Sequence, residues 1–175
     1  GRGQADHVRI RGVVTAVPSS ESFFLQDESG STMVWLGQAE SAGVRASQIG
    51  IAGIEPGNRL EVTGGPFVER LSVAFRAVAV KRLDRTALPP AVPVIPETLN
   101  HSSNNWRRVS VEGRVLSPSH AGRYGRSELS LMVGQAVVVV QVSLGGSRPP
   151  RAAEGSLARV EGVADIRGHA GQDLQ

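Results

Sequence analysis

The sequence predicts an all-β protein made of two small barrels in tandem, and three observations support this prediction. Apolar residues occur in short strand-like runs, while amphipathic stretches of helix length are few. A run at 8–14, VRIRGVV, is echoed about a hundred residues later at 109–115, VSVEGRV. Runs that end in glycine also occur twice, at 59–64 and at 158–162. Self-similarity over this length indicates a duplicated domain rather than a solenoid repeat.

In the first copy, turn signals separate five predicted strands, which lie at 8–17, 21–27, 31–36, 59–64 and 71–83. Gly12, inside the first strand, is expected to mark a bend. The segment 37–55 is long and Gly-rich, and we expect a short helix there. Five strands with a long insertion between the third and the fourth are typical of the OB fold, a small Greek-key barrel.

In the second copy, the predicted strands lie at 107–117, 127–133, 135–144 and 157–164. Residues 84–106, between the copies, contain four prolines in apolar surroundings, which is typical of a semi-rigid linker. We therefore predict an OB-like domain at 1–83, a Pro-rich linker at 84–106 and a second OB-like domain at 107–175. Little sequence remains for a last strand, so we expect the second barrel to be truncated and the chain to be part of a longer protein.

The charge of the chain does not predict a strong affinity for phosphate. The formal net charge is +3, although the isoelectric point is about 10.5. This high value arises because Lys81 is the only lysine, and the other basic residues are arginines of very high pKa. The absence of cysteine excludes disulfides and thiol chemistry. No stretch approaches the roughly 20 apolar residues that span a bilayer as a helix.

One face of the first predicted barrel carries the candidate binding residues. OB folds bind their ligands across strands two and three, and alternation turns every second side chain of those strands outward. The predicted outward-facing residues are Phe24, Gln26, Met33 and Trp35, and Arg76 or Arg59 is expected to supply a positive charge beside them. Exposed aromatic rings beside cations would stack on single-stranded bases. The alternative is that Trp35 or Phe24 packs against the 37–55 segment or the neighbouring domain.

The second copy has no aromatic residue on the matching strands, where Ser130 and Met132 take those places. A nucleic-acid groove that ran across both domains would continue its stacking platform, so this difference counts against one. Trp106 lies where the linker meets the second domain, and we predict that it fills the seam between the domains. Asp27 precedes a tight turn, where it either caps the turn or contacts a ligand.

Catalytic and metal-binding patterns are missing from the sequence. The four histidines have no partner at metal-ligand spacing, and no serine lies in a nucleophile elbow. Glycine-rich turns are present, but none combines with lysine as a phosphate-binding loop does. We therefore expect a protein that is not an enzyme and that holds neither a metal nor a cofactor.

Three segments carry a resemblance to a known family. Residues 23–36, 55–64 and 105–115 are similar to the FLQD-x-TG, PGD-x-V-x-V-x-G and QWV-x-V-x-G-x-V patterns of bacterial OB modules. Their paired arrangement resembles the extracytoplasmic sensory region of bacterial membrane-bound signalling proteins with a histidine kinase or diguanylate cyclase output. The resemblance implies a periplasmic or extracytoplasmic location, with a cytoplasmic one as the alternative.

Two functions therefore remain open. The resemblance implies a non-catalytic sensory or interaction module that binds a small ligand or a protein partner and meets the membrane only through flanking segments. The alternative is an OB pair that binds single-stranded nucleic acid, as an accessory to a nuclease for example. The near-neutral charge and the low aromatic content of 4% favour the first function.

Overall fold

A computed structural model describes residues 7–36, 53–69, 72–121, 126–143 and 151–166, with only the backbone described at 118–121 and at 143. The chain divides into two compact units that interleave along the sequence. Unit 1 comprises Gly1–Pro90, His101–Arg108 and Val163–Gln175. Unit 2 comprises Ala91–Asn100 and Val109–Gly162. The domains predicted at 1–83 and 107–175 are each one continuous segment, and their boundaries stay a prediction.

Unit 1 contains a closed barrel of five strands. These are β1 (Val8–Ser19), β2 (Ser22–Gln26), β3 (Ser31–Trp35), β4 (Asn58–Glu69) and β5 (Ser72–Arg85). Their order around the barrel is β1-β2-β3-β5-β4, and β4 pairs with β1 to close it. All neighbours are antiparallel except β3 and β5, which run parallel. A closed five-stranded Greek-key barrel of this kind is an OB fold.

Alternate side chains of these strands fill the barrel of unit 1. The fully buried residues at its centre include Val14, Phe23, Val34, Leu60 and Val62. Each comes from a strand on which neighbouring residues point the other way, as the pleat of a strand requires. This alternation also fixes which side chains reach the outer face of the barrel.

Unit 2 contains an open sheet. Its strands are β6 (Val92–Pro93), β7 (Arg108–Ala121), β8 (Arg126–Val133), β9 (Ala136–Ser143) and β10 (Leu157–Val163). The order is β10-β7-β8-β9, and the short β6 lies parallel to the start of β7. Two single turns of 3-10 helix, Pro96–Thr98 and Ser102–Asn104, connect β6 to β7. A smaller core packs against one face of this sheet, with Leu131 and Val115 at its centre.

The duplication seen in the sequence extends to irregularities of the backbone. The register between β1 and β2 shifts between Val14 and Ala16 and again before Ser19. The register between β7 and β8 shifts at the equivalent places, after Val115 and again before His120. Such bulges bend a strand so that it can serve two sheets.

The mid-strand glycines have the same role in both copies. A Cβ atom at Gly12 would lie 2.8 Å from the carbonyl oxygen of Gln26, and one at Gly113 would lie 2.6 Å from that of Met132. Both distances are shorter than real Cβ contacts. The first strand of each copy can therefore approach the second this closely only at a glycine.

The predicted all-β class is confirmed, and the observed strands agree with the predicted ones to within a few residues at most ends. The helix expected within 37–55 lies largely outside the described residues. In the described part of the chain, no helix has the length and hydropathy needed to cross a bilayer.

An ion pair links β1 to β4 on the outside of the barrel. Arg11 donates hydrogen bonds from Nε and Nη2 to Oε2 of Glu61, at 2.8 and 2.7 Å. Arg9 Nε lies 3.6 Å from Oε1 of the same carboxylate. The hydrogen bond from Arg11, with the charges of Arg9, Arg11 and Lys81, lowers the pKa of Glu61, against a smaller opposing effect of desolvation.

We predict that Glu61→Gln destabilises the protein near neutral pH but not in acid. Because the folded-state pKa is below the unfolded-state value, the ion pair stabilises the fold above the unfolded pKa of about 4.3. This contribution is lost as the pH falls through the folded pKa. Urea unfolding at about pH 7 and about pH 3 measures the difference between the wild type and the variant. A difference that stays constant with pH would contradict the prediction.

A second prediction concerns Gly64, where β4 and β5 are pressed together. A Cβ atom there would overlap the carbonyl oxygen of Arg76, whereas a Cβ atom at Gly65 would meet nothing within 4 Å. Gly64→Ala should lower the free energy of unfolding by about 1–3 kcal/mol, because the backbone must shift. Gly65→Ala is the matched control and should change it by less than about 1 kcal/mol. Equal effects in thermal unfolding would disprove the close contact.

Candidate ligand-binding face of unit 1

The predicted binding residues lie together on the outer face of the barrel. Phe24 of β2 stands opposite Met33 of β3, and Trp35 of β3 is in register with Arg76 of β5. Gln26 lies at the end of β2 that is nearest the Asp27 turn. The alternation rule therefore placed Phe24, Gln26, Met33 and Trp35 on one face, and Arg76 lies beside Trp35 on the neighbouring strand.

This face is covered by another part of unit 1. The ring of Trp106 is only 4% exposed and packs with Phe24 and Ala74 in a small apolar cluster. Four partly buried residues complete the cluster: Ala16, Met33, Phe67 and Val163. We call residues 105–108 and 163–166 the cap. The cap occupies the surface across which an OB barrel would bind its ligand.

Trp106 reaches this position in an unusual backbone conformation. Its φ angle is +60°, and it is the only described residue other than glycine with a positive φ. The left-handed conformation costs a residue with a Cβ atom roughly 1–2 kcal/mol. It persists because the surrounding contacts stabilise it by more, chiefly the burial of a large aromatic ring.

Backbone hydrogen bonds join the two segments of the cap. The N–H of Trp106 donates to the carbonyl of Ala164 at 2.7 Å, and the N–H of Ala164 donates to the carbonyl of Arg107 at 3.0 Å. The N–H of Ile166 donates to Oδ1 of Asn105 at 2.9 Å. These bonds hold 164–166 beside 105–107.

Asn105 attaches the cap to the barrel. Its Nδ2 donates to the hydroxyl of Ser72 at 2.7 Å, and its carbonyl accepts a hydrogen bond from the hydroxyl of Ser31 at 3.1 Å. Sequence reasoning did not single out Asn105. Its position beside Trp106 could have indicated this role. The backbone around a buried aromatic ring outside a strand needs polar partners, and a neighbouring Asn can supply them.

Gln26 has a partner inside unit 1. Its side chain is buried, and its Oε1 accepts a hydrogen bond from the N–H of Arg108 at 2.9 Å. Arg108 in turn donates from Nη1 to the carbonyl of Pro89 at 2.6 Å. The amide of Gln26 therefore holds Arg108 against the barrel of unit 1.

Trp35 and Arg76 are not among the residues of the apolar cluster. The guanidinium carbon of Arg76 is 4.9 Å from the centre of the Phe67 ring, which is within the range of a cation–π contact. Trp35 is partly buried, and its Nε1 has no hydrogen-bond partner in the described part of the chain. Arg76 is the one residue of the predicted set that is largely exposed.

Asp27 caps its own turn, which confirms one of the two roles predicted for it. Its Oδ1 accepts hydrogen bonds from the N–H groups of Ser29 and Gly30, at 2.8 and 3.0 Å, and from the hydroxyl of Ser29 at 2.6 Å. The described residues contain no group of three or more acidic or histidine side chains that could hold a metal ion.

The chain has no match among family models and none in sequence among curated proteins. It is similar in structure to the hypothetical protein ygiW from E. coli, with 17% identity and a TM-score of 0.34 over 44% of this chain and 74% of that one. It is also similar to a replication protein A heterotrimer bound to ssDNA, with 14% identity and a TM-score of 0.35 over 78% of this chain and 38% of that one.

A murine DNA-binding protein bound to double-stranded DNA is similar as well, with 11% identity and a TM-score of 0.37 over 87% of this chain and 80% of that one. This chain spans well under half of the replication protein A chain that it matches. At these identities and TM-scores, the similarities do not bear on what this chain binds.

We predict that Trp106→Ala lowers the free energy of unfolding by about 3–5 kcal/mol, as expected for the removal of a fully buried aromatic ring. Chemical denaturation measures the change. Val68→Ala is the control, because Val68 lies in the same unit and is 73% exposed. It should change stability by less than about 0.5 kcal/mol. A loss below 1 kcal/mol for Trp106→Ala, on the order of one surface contact, would contradict the role of the cap.

Proposed function

We propose that this chain is a non-catalytic interaction module that does not bind single-stranded nucleic acid through the outer face of its OB barrel. The observation that carries the proposal is the burial of Trp106 against Phe24 on that face. Stacking on bases requires an accessible ring, and the Phe24 side chain is 8% exposed. The surface that would bind bases is therefore covered by Trp106 of the same unit.

The free energy gained by burying Trp106 on this face is larger than the free energy of stacking one base there. Removing a buried Trp from its site costs about 3–5 kcal/mol. A stacked base contributes about 1–3 kcal/mol. One base on Phe24 therefore does not compensate for the loss of Trp106. A formal charge of +3 adds little attraction, because binders of nucleic acid derive much of their affinity from neutralising several phosphates.

The proposal that the chain is not an enzyme is supported by the polar groups of the described residues. The pKa of Glu61 is lowered, and the hydrogen bond from Arg11 on the neighbouring strand is the main cause of this shift. A displaced pKa points to a catalytic site when it occurs in a cleft with other reactive groups. Glu61 instead lies in an ion pair on the barrel wall.

We further propose that the partner is a small ligand or a protein outside the cytoplasm, and that the chain is the sensory region of a bacterial signalling protein. This finer proposal rests on the resemblance of residues 23–36, 55–64 and 105–115 to bacterial OB modules, and on the paired arrangement of these segments, which resembles such a sensory region. The sequence that flanks the chain in its gene tests it. A transmembrane helix with a kinase or cyclase domain would support it, and a nuclease domain would overturn it.

We predict that the protein does not bind labelled oligo-dT or oligo-U with sub-micromolar affinity at about 150 mM salt, where exposed charges are screened. Fluorescence anisotropy measures the affinity, and Trp35→Ala is the comparison variant. Weak binding that disappears as the salt is raised would be non-specific attraction to phosphate and agrees with the prediction. Sub-micromolar binding that Trp35→Ala abolishes would overturn the proposal and favour the nucleic-acid alternative.

A further inference from the structure

The two copies of the duplicated fold differ at the position of the fifth strand. In unit 1, β5 lies between β3 and β4 and closes the barrel. In unit 2, the equivalents of β3 and β4 are β9 and β10, and no described strand lies between them. The short β6 does not take this place, because it pairs with β7. The outer edges of β9 and β10 are therefore unpaired among the described residues.

Hydrogen bonds align β10 with β4. The N–H of Gly57 donates to the carbonyl of Val14, and the N–H of Gly155 donates to that of Val115, both at 2.8 Å. Gly57 and Gly155 are therefore equivalent. Gly64 and Gly162 lie the same number of residues after them, so these two glycines are equivalent as well.

The environments of Gly64 and Gly162 differ. A Cβ atom at Gly64 would overlap the backbone of β5, whereas a Cβ atom at Gly162 would meet nothing within 4 Å. The second copy therefore has glycine where a fifth strand would press against it, and the space in front of that glycine is open.

The core of unit 2 is also less well covered at the position between β9 and β10. Val34 of β3 and Val62 of β4 are both completely buried. Their equivalents in unit 2, Val140 and Val160, are only partly buried. A strand between β9 and β10 would cover these side chains, as β5 covers those of unit 1.

The edge of β9 lacks the features that normally prevent strand addition. Ala136–Ser143 contains neither a charged residue nor a proline, and its outward-facing Val137 and Val139 are each 57% exposed. Natural edge strands are usually protected by lysine, proline or a bulge. A strand that is apolar on both faces is typical of the interior of a sheet.

Residues 164–166, which directly follow β10, do not fill the gap. In unit 1, β5 is the next strand after β4 in the chain, and Glu69 at the end of β4 pairs with Ser72 at the start of β5. After β10, residues 164–166 instead pair with 105–107 in the cap. The direct connection that supplies the fifth strand of unit 1 is therefore absent from the described part of unit 2.

We propose that unit 2 binds an extended segment of a partner protein as its fifth strand, between β9 and β10. The segment would run parallel to β9 and antiparallel to β10, as β5 does with β3 and β4. It would present apolar residues at alternate positions, equivalent to Phe75 and Ala77, to the core. This inference goes beyond the proposed function and concerns a different surface, so its failure would leave that proposal standing.

The register of the added strand follows from the ladders. Equivalent rungs run through Val14, Leu25 and Thr32 in unit 1 and through Val115, Leu131 and Val138 in unit 2. Trp35, three residues after Thr32, therefore corresponds to Gln141. Since Trp35 is in register with Arg76, the residue of the added strand that is equivalent to Arg76 should lie beside Gln141.

A peptide with the sequence of residues 72–80, SVAFRAVAV, is the probe, because it is the strand that fills this position in unit 1. Labelled at its end, it should bind the full chain in an anisotropy titration. A peptide with Asp in place of Phe75 and Ala77 should not bind. Gly162→Val should weaken binding by about tenfold or more, because its side chain would meet the added backbone. Gly65→Val, the same change at another open glycine, should leave it unchanged.

Both glycine variants should unfold at the temperature of the wild type, because neither position is crowded in the chain alone. This separates a blocked site from a damaged fold. Absence of peptide binding to the wild type, or equal binding to Gly162→Val and Gly65→Val, would overturn the proposal.

Thiol exchange tests the register, since the chain has no cysteine of its own. The peptide with Cys in place of Arg76, activated as a mixed disulfide with thionitrobenzoate, should react faster with Gln141→Cys than with Val137→Cys. The cysteine thiolate attacks the peptide sulfur and releases the coloured thionitrobenzoate anion. Positions 137 and 141 are about 13 Å apart on the strand, so equal rates would contradict the register.

Sedimentation of the unlabelled chain identifies the other possible occupant. We expect the molecular weight to stay that of a monomer as the concentration rises. A dimer that the peptide dissociates would show that a second copy of this chain occupies the edge, and the proposal of a foreign strand would be wrong.

Discussion

The arrangement of unit 1 outside its barrel depends on the burial of the Trp106 ring against Phe24 and Ala74. The ring is a large apolar group, and its burial offsets the cost of a positive φ at a residue with a Cβ atom. With the Trp106 ring buried, polar groups of its neighbours Asn105 and Arg108 also lie against the barrel. Hydrogen bonds satisfy these groups, since Asn105 donates to Ser72 and Arg108 donates to Gln26.

This burial covers the surface through which OB folds bind their ligands. An OB barrel presents strands two and three to its ligands, and here that surface is covered by residues of the same unit. A ligand at this site would have to replace a buried aromatic ring and several hydrogen bonds at once. An OB fold is therefore no sufficient reason to assign nucleic-acid binding, since function depends on the accessible residues of a site and not on the fold.

The two copies agree in backbone detail but differ in the number of described strands. The two copies share bulges, mid-strand glycines and the turn that leads into the fourth strand. They differ at the fifth strand, which closes unit 1 and has no counterpart among the described residues of unit 2. An unpaired strand edge with apolar residues on both faces is a surface suited to strand addition, so unit 2 offers a second type of interaction surface.

The sequence by itself determined the all-β class, the duplicated strands and the set of side chains on the outer face of the barrel, because all of these follow from local alternation and turn residues. It also indicated the Asp27 turn, which is a contact between near neighbours. Only the tertiary structure decided that Trp106 packs on Phe24 and that β10 continues into the cap. These contacts join residues that are distant in the chain, and whether an outward-facing side chain stays accessible depends on such contacts rather than on its own strand.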